Sequence, residues 1–348
     1  MSRWILGLAV VAACDVVPPV ERPPWTEVPL PPGADGVPRR RLESAVAALG
    51  TRLVIAGGYS TSLREGLMTT NEVIAYDTLA GTFEDLPPLD VSWSHGQLAG
   101  NGGILYMLGG HEDASANASG QSFVLPLGGE AWEAIEPMPE GLERGAAGVL
   151  VSPPYIYLFG GANRMGPLAS NLQFDTVTRT WSRLFPDLPT ARSHPAVMET
   201  FDGTVVIAGG LDDANRPLGD VWQLPPDFVT PPEDQLWQLA EPMPTNRGGC
   251  AYGTAFGALL CAGGEAGIEA LDTVEKYDPD GAIVDDVPVD QWTELEPMPE
   301  PRAGAQGTVI GGSLYVVGGS LSRMFEPTDS ILVLAYVEHP DGPLPWPF

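Results

Sequence analysis

Trp292-Thr-Glu-Leu-Glu-Pro-Met-Pro-Glu-Pro-Arg302-Ala-Gly-Ala-Gln-Gly-Thr-Val-Ile-Gly311-Gly312-Ser-Leu314-Tyr-Val-Val317-Gly318-Gly319 is the stretch on which the reading of this chain turns. Its second half holds two short apolar runs joined at Gly311-Gly312, a turn signal between strands. The later run, Leu314 to Val317, has the β-branched and aromatic residues that suit a buried strand, and a glycine pair closes it. Its first half is led by an aromatic residue and stops at Pro297-Met298-Pro299, where no ladder donor is needed.

The same order recurs along the chain. Glycine pairs stand at Gly57-Gly58, Gly109-Gly110, Gly160-Gly161, Gly209-Gly210, Gly263-Gly264 and Gly318-Gly319, in steps of 52, 51, 49, 54 and 55 residues. One motif per period near fifty is a repeat array with six units. A third strand follows each pair, marked in three units by Tyr76-Asp77, Phe174-Asp175 and Tyr277-Asp278. A fourth begins at Phe83, Trp132, Trp181, Trp237 and Trp292. The sixth unit reaches its third strand at about Ile331 to Ala335 and then lacks an aromatic-led strand, whereas Trp25-Thr-Glu-Val-Pro-Leu-Pro-Pro at the other end matches the segment from Trp292. The N-terminal segment is therefore expected to complete the last unit, which ties both ends into one sheet and removes an open edge.

Four strands, a diglycine and an aromatic-led last strand resemble the kelch repeat over roughly residues 25 to 337. No Trp-Asp pair occurs, which argues against the other common propeller repeat. The resemblance implies an all-β, six-bladed kelch-type β-propeller with four antiparallel strands per blade, the last blade closed by the N-terminal strand. Propellers of this kind serve as rigid binding platforms, although a fold alone does not decide function. Exported six-bladed kelch proteins also include sugar mutarotases acting on sialic acid. Copper-radical sugar oxidases carry kelch-like propellers too, but their Tyr/Cys/His constellation is not found here.

Composition sets limits of its own. The 348 residues carry 17 Lys+Arg against 45 Asp+Glu, a formal charge of −28, so there is little cation with which to build a nucleic-acid face or to meet an anionic membrane. Gly 42 and Pro 36 together are 78 residues, nearly twice the usual share of about 12%, as in turn-rich all-β architecture. Residues 1–13 read as a signal peptide, with one cation at Arg3 and an apolar run from Trp4 to Ala13 too short to span a bilayer. Val11-Ala12-Ala13-Cys14 resembles a bacterial lipobox, which makes Cys14 a lipid anchor, 14–24 a lipidated linker and 25–348 the single propeller domain. The expected location is the cell envelope or periplasm, with the membrane met only through the anchor, or else secretion, and the expected state is a monomer.

Strand order puts the loop after each glycine pair and the connection into each blade on one face, the candidate mouth. Sixteen or seventeen residues before each pair stand Arg41, Trp93, Arg144, Arg192, Arg247 and Arg302, read as the start of the innermost strand and as a cationic ring near one end of the channel. Two roles compete for the ring: pairing within or between blades, with Glu43, Glu112, Asp212, Asp213 and Glu265 as candidate partners, or bidentate capture of an anionic ligand. Two positions further on are Glu43, His95, Ala146, His194, Gly249 and Gly304, so His95 and His194 join the candidate site and Trp93 is a candidate platform for a sugar or aromatic group.

Catalytic motifs are sparse. The four histidines form no His-Glu-x-x-His pair, and no nucleophile elbow or phosphate loop appears. No catalytic residue, cofactor or metal is assigned; His111-Glu112-Asp113 is read as an exposed loop rather than a metal site, and Asp278-Pro-Asp-Gly281 as a turn. Cys250 lies diagonal to Cys261 across a hairpin, a marginal placement for a disulfide, so buried free thiols are expected, with a bridge as the alternative. Insertions at Pro225 to Gln235 and Pro279 to Gln291 are expected to decorate the opposite face. The functional expectation is a non-enzymatic exported platform for a protein or glycan partner; the alternative is a periplasmic sugar mutarotase or epimerase of the sialic-acid type, using Arg, His and Glu for proton transfer.

Overall fold

The computed structural model describes residues 25–335, apart from residues 63, 184, 227–234, 285–286, 290 and 323–324. The segment expected to be a signal peptide, Cys14, the chain beyond Ala335 and most of the first insertion lie outside the described residues.

Six four-stranded antiparallel sheets follow one another. Blade 1 is Ala45–Leu49, Arg52–Ala56, Val73–Asp77 and Thr82–Leu86; blade 2 is Leu98–Asn101, Ile104–His111, Ala118–Pro126 and Glu133–Ile135. Blade 3 runs Gly148–Ser152, Tyr155–Phe159, Asn171–Asp175 and Thr180–Ser182; blade 4 runs Ala196–Glu199, Val205–Ala208, Val221–Leu224 and Gln238–Leu239. Blade 5 comprises Ala251–Ala255, Ala258–Ala262, Val274–Tyr277 and Trp292–Leu295. Blade 6 takes Gln306–Ile310, Ser313–Val317 and Ser330–Ala335, and its outer strand is Trp25–Pro29, paired from Trp25↔Leu334 to Pro29↔Ser330. The N-terminal closure expected from the Trp25 match is thus present. Among the described residues no helix is long and apolar enough to cross a membrane.

The core is divided into clusters between neighbouring sheets rather than one central mass. Val54 and Val73 of blade 1 meet Leu105, Met107 and Phe123 of blade 2, and comparable clusters fill the other five junctions around to Leu53 and Ile55 against Tyr315 and Ile331. Each fourth-strand tryptophan staples its blade to the one before. The indole N–H of Trp132 donates to Pro87 O, of Trp181 to Glu136 O, of Trp237 to Pro186 O and of Trp292 to Glu241 O, at 2.8–3.1 Å. Trp25 does the same to Glu296 O at 3.2 Å, so the closing strand uses the same device as the others.

Two expectations are corrected. The ring residues do not start the innermost strands; those begin four or five residues later, as at Ala45 after Arg41 and Leu98 after Trp93, because a left-handed residue intervenes. Cys250 and Cys261 are bridged, not free, with Cα atoms 5.6 Å apart. The flat-sheet diagonal of about 7–8 Å overstates the gap because the ladder ends at Ala251↔Ala262, and Gly249 (φ 63°) and Gly263 (φ 67°) turn both chains at that point.

Candidate functional site

The repeated arginines and the repeated glycines turn out to be one device. Arg144, Arg192, Arg247 and Arg302 each donate Nη1–H to the carbonyl of the first glycine of their own blade's pair, Gly160, Gly209, Gly263 and Gly318, at 2.8–3.1 Å. The same forks reach the start of the third strand: Ser170 O and Oγ for Arg144, both carboxylate oxygens of Asp220 for Arg192, Thr273 O and Oγ1 for Arg247, and Thr328 and Ser330 for Arg302. Arg41 bonds Glu72 Oε2 at 2.6 Å instead. Meanwhile the arginine's own carbonyl accepts from the second glycine of the preceding blade, as in Gly161 N to Arg192 O and Gly210 N to Arg247 O, both 2.9 Å. A Cβ on Gly160 would stand 2.4 Å from Arg192 O, which is why glycine is required there. Arg192, Arg247 and Arg302 therefore tie their own blade by side chain and the previous blade by backbone.

All five guanidinium groups are buried and hydrogen-bonded, four of them to the diglycine carbonyl and Arg41 to Glu72. The carboxylates they meet are Glu72, Asp220, Glu275 and Glu300 rather than those expected from the sequence. Trp93 fills the core between blades 1 and 2, its ring 5.8 Å from that of Phe123.

What reaches the channel is the position two residues on. Glu43, His95, Ala146 and His194 all have φ between 52° and 55°, and Gly249 and Gly304 lie at 63° and 62°. Their backbones join around the axis: His95 N donates to Glu43 O, Ala146 N to His95 O, His194 N to Ala146 O, Gly249 N to His194 O and Glu43 N to Gly304 O, at 2.7–3.2 Å. A left-handed L-residue costs roughly 1–2 kcal/mol over the right-handed form, so Glu43, His95 and His194 are held where glycine would sit without strain.

Their side chains converge. Glu43 Oε2 lies 3.7 Å from the Nε2 of both His95 and His194, ion-pair distance but beyond a hydrogen bond. The imidazole rings of His95 and His194 are 5.2 Å apart, and His111 packs 4.7 Å from His95. Nδ1 of His95 bonds Ser94 Oγ at 2.9 Å and Nδ1 of His194 bonds Ser193 Oγ at 3.1 Å. Room for the group comes from small residues: a Cβ on Gly304 would meet Glu43 Oε1 at 2.5 Å, and one on Gly145 would meet the His111 ring at 2.4 Å. His111, expected on an exposed loop, instead ends the strand Ile104–His111, is buried and bonds Ala162 O through Nε2 at 3.0 Å, while exposed Glu112 accepts from Asn117 and Asp113 caps Ser115, so the three share no donor set.

Burial pushes the Glu43 carboxyl up, but His95, His194 and His111 outweigh it and hold its pKa at about 2. Burial drives His95 down to about 3 against the pull of Glu43. His194 is lowered by burial, yet Glu43 prevails and raises it above its ordinary value. Glu43 is thus held as a carboxylate, His95 is held neutral, and His194 takes up a proton more readily than His95. Glu43, His95 and His194 are also the residues able to hold a metal, since their donor atoms lie within 4.8 Å of one another.

The trio forms a septum in the channel. Outside it a cavity of about 340 Å³ opens to the mouth, lined by Leu42, Leu211, Asn215, Ala303, Gly304 and Phe325. Beneath it a water-sized space of about 20 Å³ adjoins Tyr252 and Gln306. A wider chamber of about 320 Å³, lined by the inner strands, lies beyond. The sequence puts Glu43, His95 and His194 at one place in the repeat; of the two roles open to Glu43 there, it meets the histidines and not the ring arginines.

Comparison with known proteins adds the lineage. Residues 94–319 match the KLHDC2/KLHL20/DRC7 Kelch-repeats domain. The Kelch-like protein terF of Aspergillus terreus is 28% identical over 340 residues, covering 92% of this chain and 71% of its own length. The influenza virus NS1A-binding protein homolog of Mus musculus is 41% identical over 93 residues, 27% of this chain and 13% of its own, and Kelch-like protein 34 of Homo sapiens is 26% identical over 260 residues, 72% and 38%. The chain spans less than half the length of the two animal relatives. With the domain match covering more than half of the chain and six four-stranded sheets, four of which repeat one arginine–diglycine clamp, this protein belongs to the kelch-repeat family of β-propellers.

Proposed function

We propose that this chain is a non-enzymatic, exported platform that binds a protein partner through its diglycine mouth. The observation that carries this reading is the rim: Met68, Met165, Ile268, Leu321 and Phe325 stand exposed on four of the six loops that follow the glycine pairs, Met165 at 92% and Ile268 at 81%. Exposed apolar side chains spaced around a concave mouth are anchors that a protein partner can cover. Among the described residues of all six loops, exposed Glu65, Glu112, Asp213, Glu269 and Glu326 outnumber Arg64, Arg164 and Arg216, so the partner surface that fits is apolar with basic flanks. A sugar carboxylate would need a free guanidinium, and the five ring arginines are engaged within their blades, which weighs against the mutarotase reading. Export and a Cys14 tether belong to the proposal; the Cys250–Cys261 bridge supports passage through an oxidising compartment.

Affinity capture of the full chain tests the reading. A partner held by wild type should be lost on M165S/I268S/F325S and kept on L79S/V177S, which alter turns of the opposite face. Equal capture by both variants would place the interface elsewhere. Labelling with a lipid precursor tests the tether, and an unlabelled mature chain would remove it.

A further inference from the structure

We propose that Glu43, His95 and His194 form a binding site for a single divalent transition-metal ion, zinc or iron(II) in chemical class, with open coordination positions facing the mouth. The proposal is independent of the partner reading, because it concerns the septum rather than the rim.

Four observations carry it. The donor set is two imidazoles and one carboxylate, from blades 2, 4 and 1, with all three donor atoms within 4.8 Å and both Glu–His separations at 3.7 Å. A tetrahedral ion about 2.1 Å from each donor holds its donors about 3.4 Å apart, so the trio is near the geometry an ion needs. Second, both imidazoles are tethered at Nδ1 by the serine that precedes them. An imidazole donating its Nδ1–H to an outer oxygen presents the Nε2 lone pair inward, the arrangement that orients a metal-bound histidine. Third, His194 Nε2 is buried without any hydrogen-bond partner, an orphaned polar atom aimed at the centre of the cluster. Fourth, two blades fill the same backbone position with Gly249 and Gly304, so the fold does not need a side chain there. Blades 1, 2 and 4 nonetheless hold Glu43, His95 and His194 in the left-handed region, and left-handed outliers of this kind gather at functional sites.

The chemistry selects the class of ion. Calcium and magnesium take oxygen donors, whereas two imidazoles with a carboxylate suit zinc, iron(II) and their neighbours. Three protein donors leave at least one position open, and on the outer side lies the mouth cavity of about 340 Å³, large enough for a water or a small ligand on the ion. Gly304 is part of the site by what it lacks, since a Cβ would strike Glu43 Oε1.

The test uses the chelator-stripped full chain titrated with Co²⁺ and with Zn²⁺ alone, by calorimetry and, for Co²⁺, visible absorption. One ion per chain with visible Co²⁺ bands is expected, with both signals lost in H95N/H194N and in E43Q and kept in H339Q. No binding by wild type, or binding undiminished in H95N/H194N, would overturn the site. Should those variants fail to fold, the wild-type chain decides: X-ray absorption of the chain loaded with one Zn²⁺ should show two imidazoles in the zinc shell, and a shell without imidazole would overturn it.

Discussion

Replacing Arg192 by Met separates a blade clamp from a ligand site. The guanidinium is fully buried and donates to Gly209 O at 2.8 Å and to both oxygens of Asp220 at 3.0 and 2.8 Å. Met fills much of the stem's volume but leaves Asp220 and the glycine carbonyl without their donor. Breaking a buried pair on one side costs about 3–5 kcal/mol, and the 27% exposure of Asp220 lets water offset part of it, so about 3 kcal/mol is expected. Unfolding entropy of about 2.1 cal/mol/K per residue over roughly 310 residues gives roughly 0.65 kcal/mol per degree. The melting temperature should therefore fall by about 4–5 °C in differential scanning calorimetry, with partner capture retained below the transition. An unchanged melting temperature combined with lost binding would refute the clamp and return the ring to the role of ligand holder.

Other outcomes follow from the same structure. Reduction of Cys250–Cys261, or C250A/C261A, should lower stability by about 3 kcal/mol for an 11-residue separation, near 4 °C in the melt, and thiol counting of the denatured chain should find no free thiol at these positions. Deleting residues 25–30 removes the buried Leu30 and a five-residue ladder with Ser330–Ala335; burial of one such side chain is worth about 1.5–3 kcal/mol, and the bare edge should cause association visible by light scattering. The Asp220 carboxyl is raised by burial but lowered on balance by Arg192, below its ordinary 3.8. Its contribution is present above that value and is lost as pH falls through the lower folded value, so wild type should lose stability below about pH 4 and D220N should show a shallower acid loss.

The architecture was legible because its markers are steric and hydrogen-bonding necessities of one repeated contact. Gly160, Gly209, Gly263 and Gly318 leave no space for a Cβ against the next blade, and the tryptophans each reach a carbonyl of the previous blade, so period and residue type survive in the sequence. The Trp25 match gave the closure for the same reason. The candidate site was half legible. The position shared by Glu43, His95 and His194 could be counted, but the direction of each side chain could not, because it depends on a left-handed residue that turns the arginine into its blade and the next side chain but one into the channel. Cys250 eluded the flat-sheet estimate because the same turn, at Gly249, shortens the diagonal.

The strand Trp25–Pro29 pairs with residues more than 300 positions away, from Trp25↔Leu334 to Pro29↔Ser330. During synthesis at about 5–20 residues per second, that segment leaves the ribosome roughly 15 to 60 seconds before its partner exists. The first five blades can assemble in turn as they emerge, but the ring stays open until Ser330–Ala335 has been made. An interrupted product leaves the blade 6 face of blade 1 uncovered and Trp25–Pro29 without its ladder, and exposed apolar surface and unpaired strands are what quality control and aggregation both detect. Closure by the earliest strand thus makes the sealed ring a record that translation ran through the whole propeller.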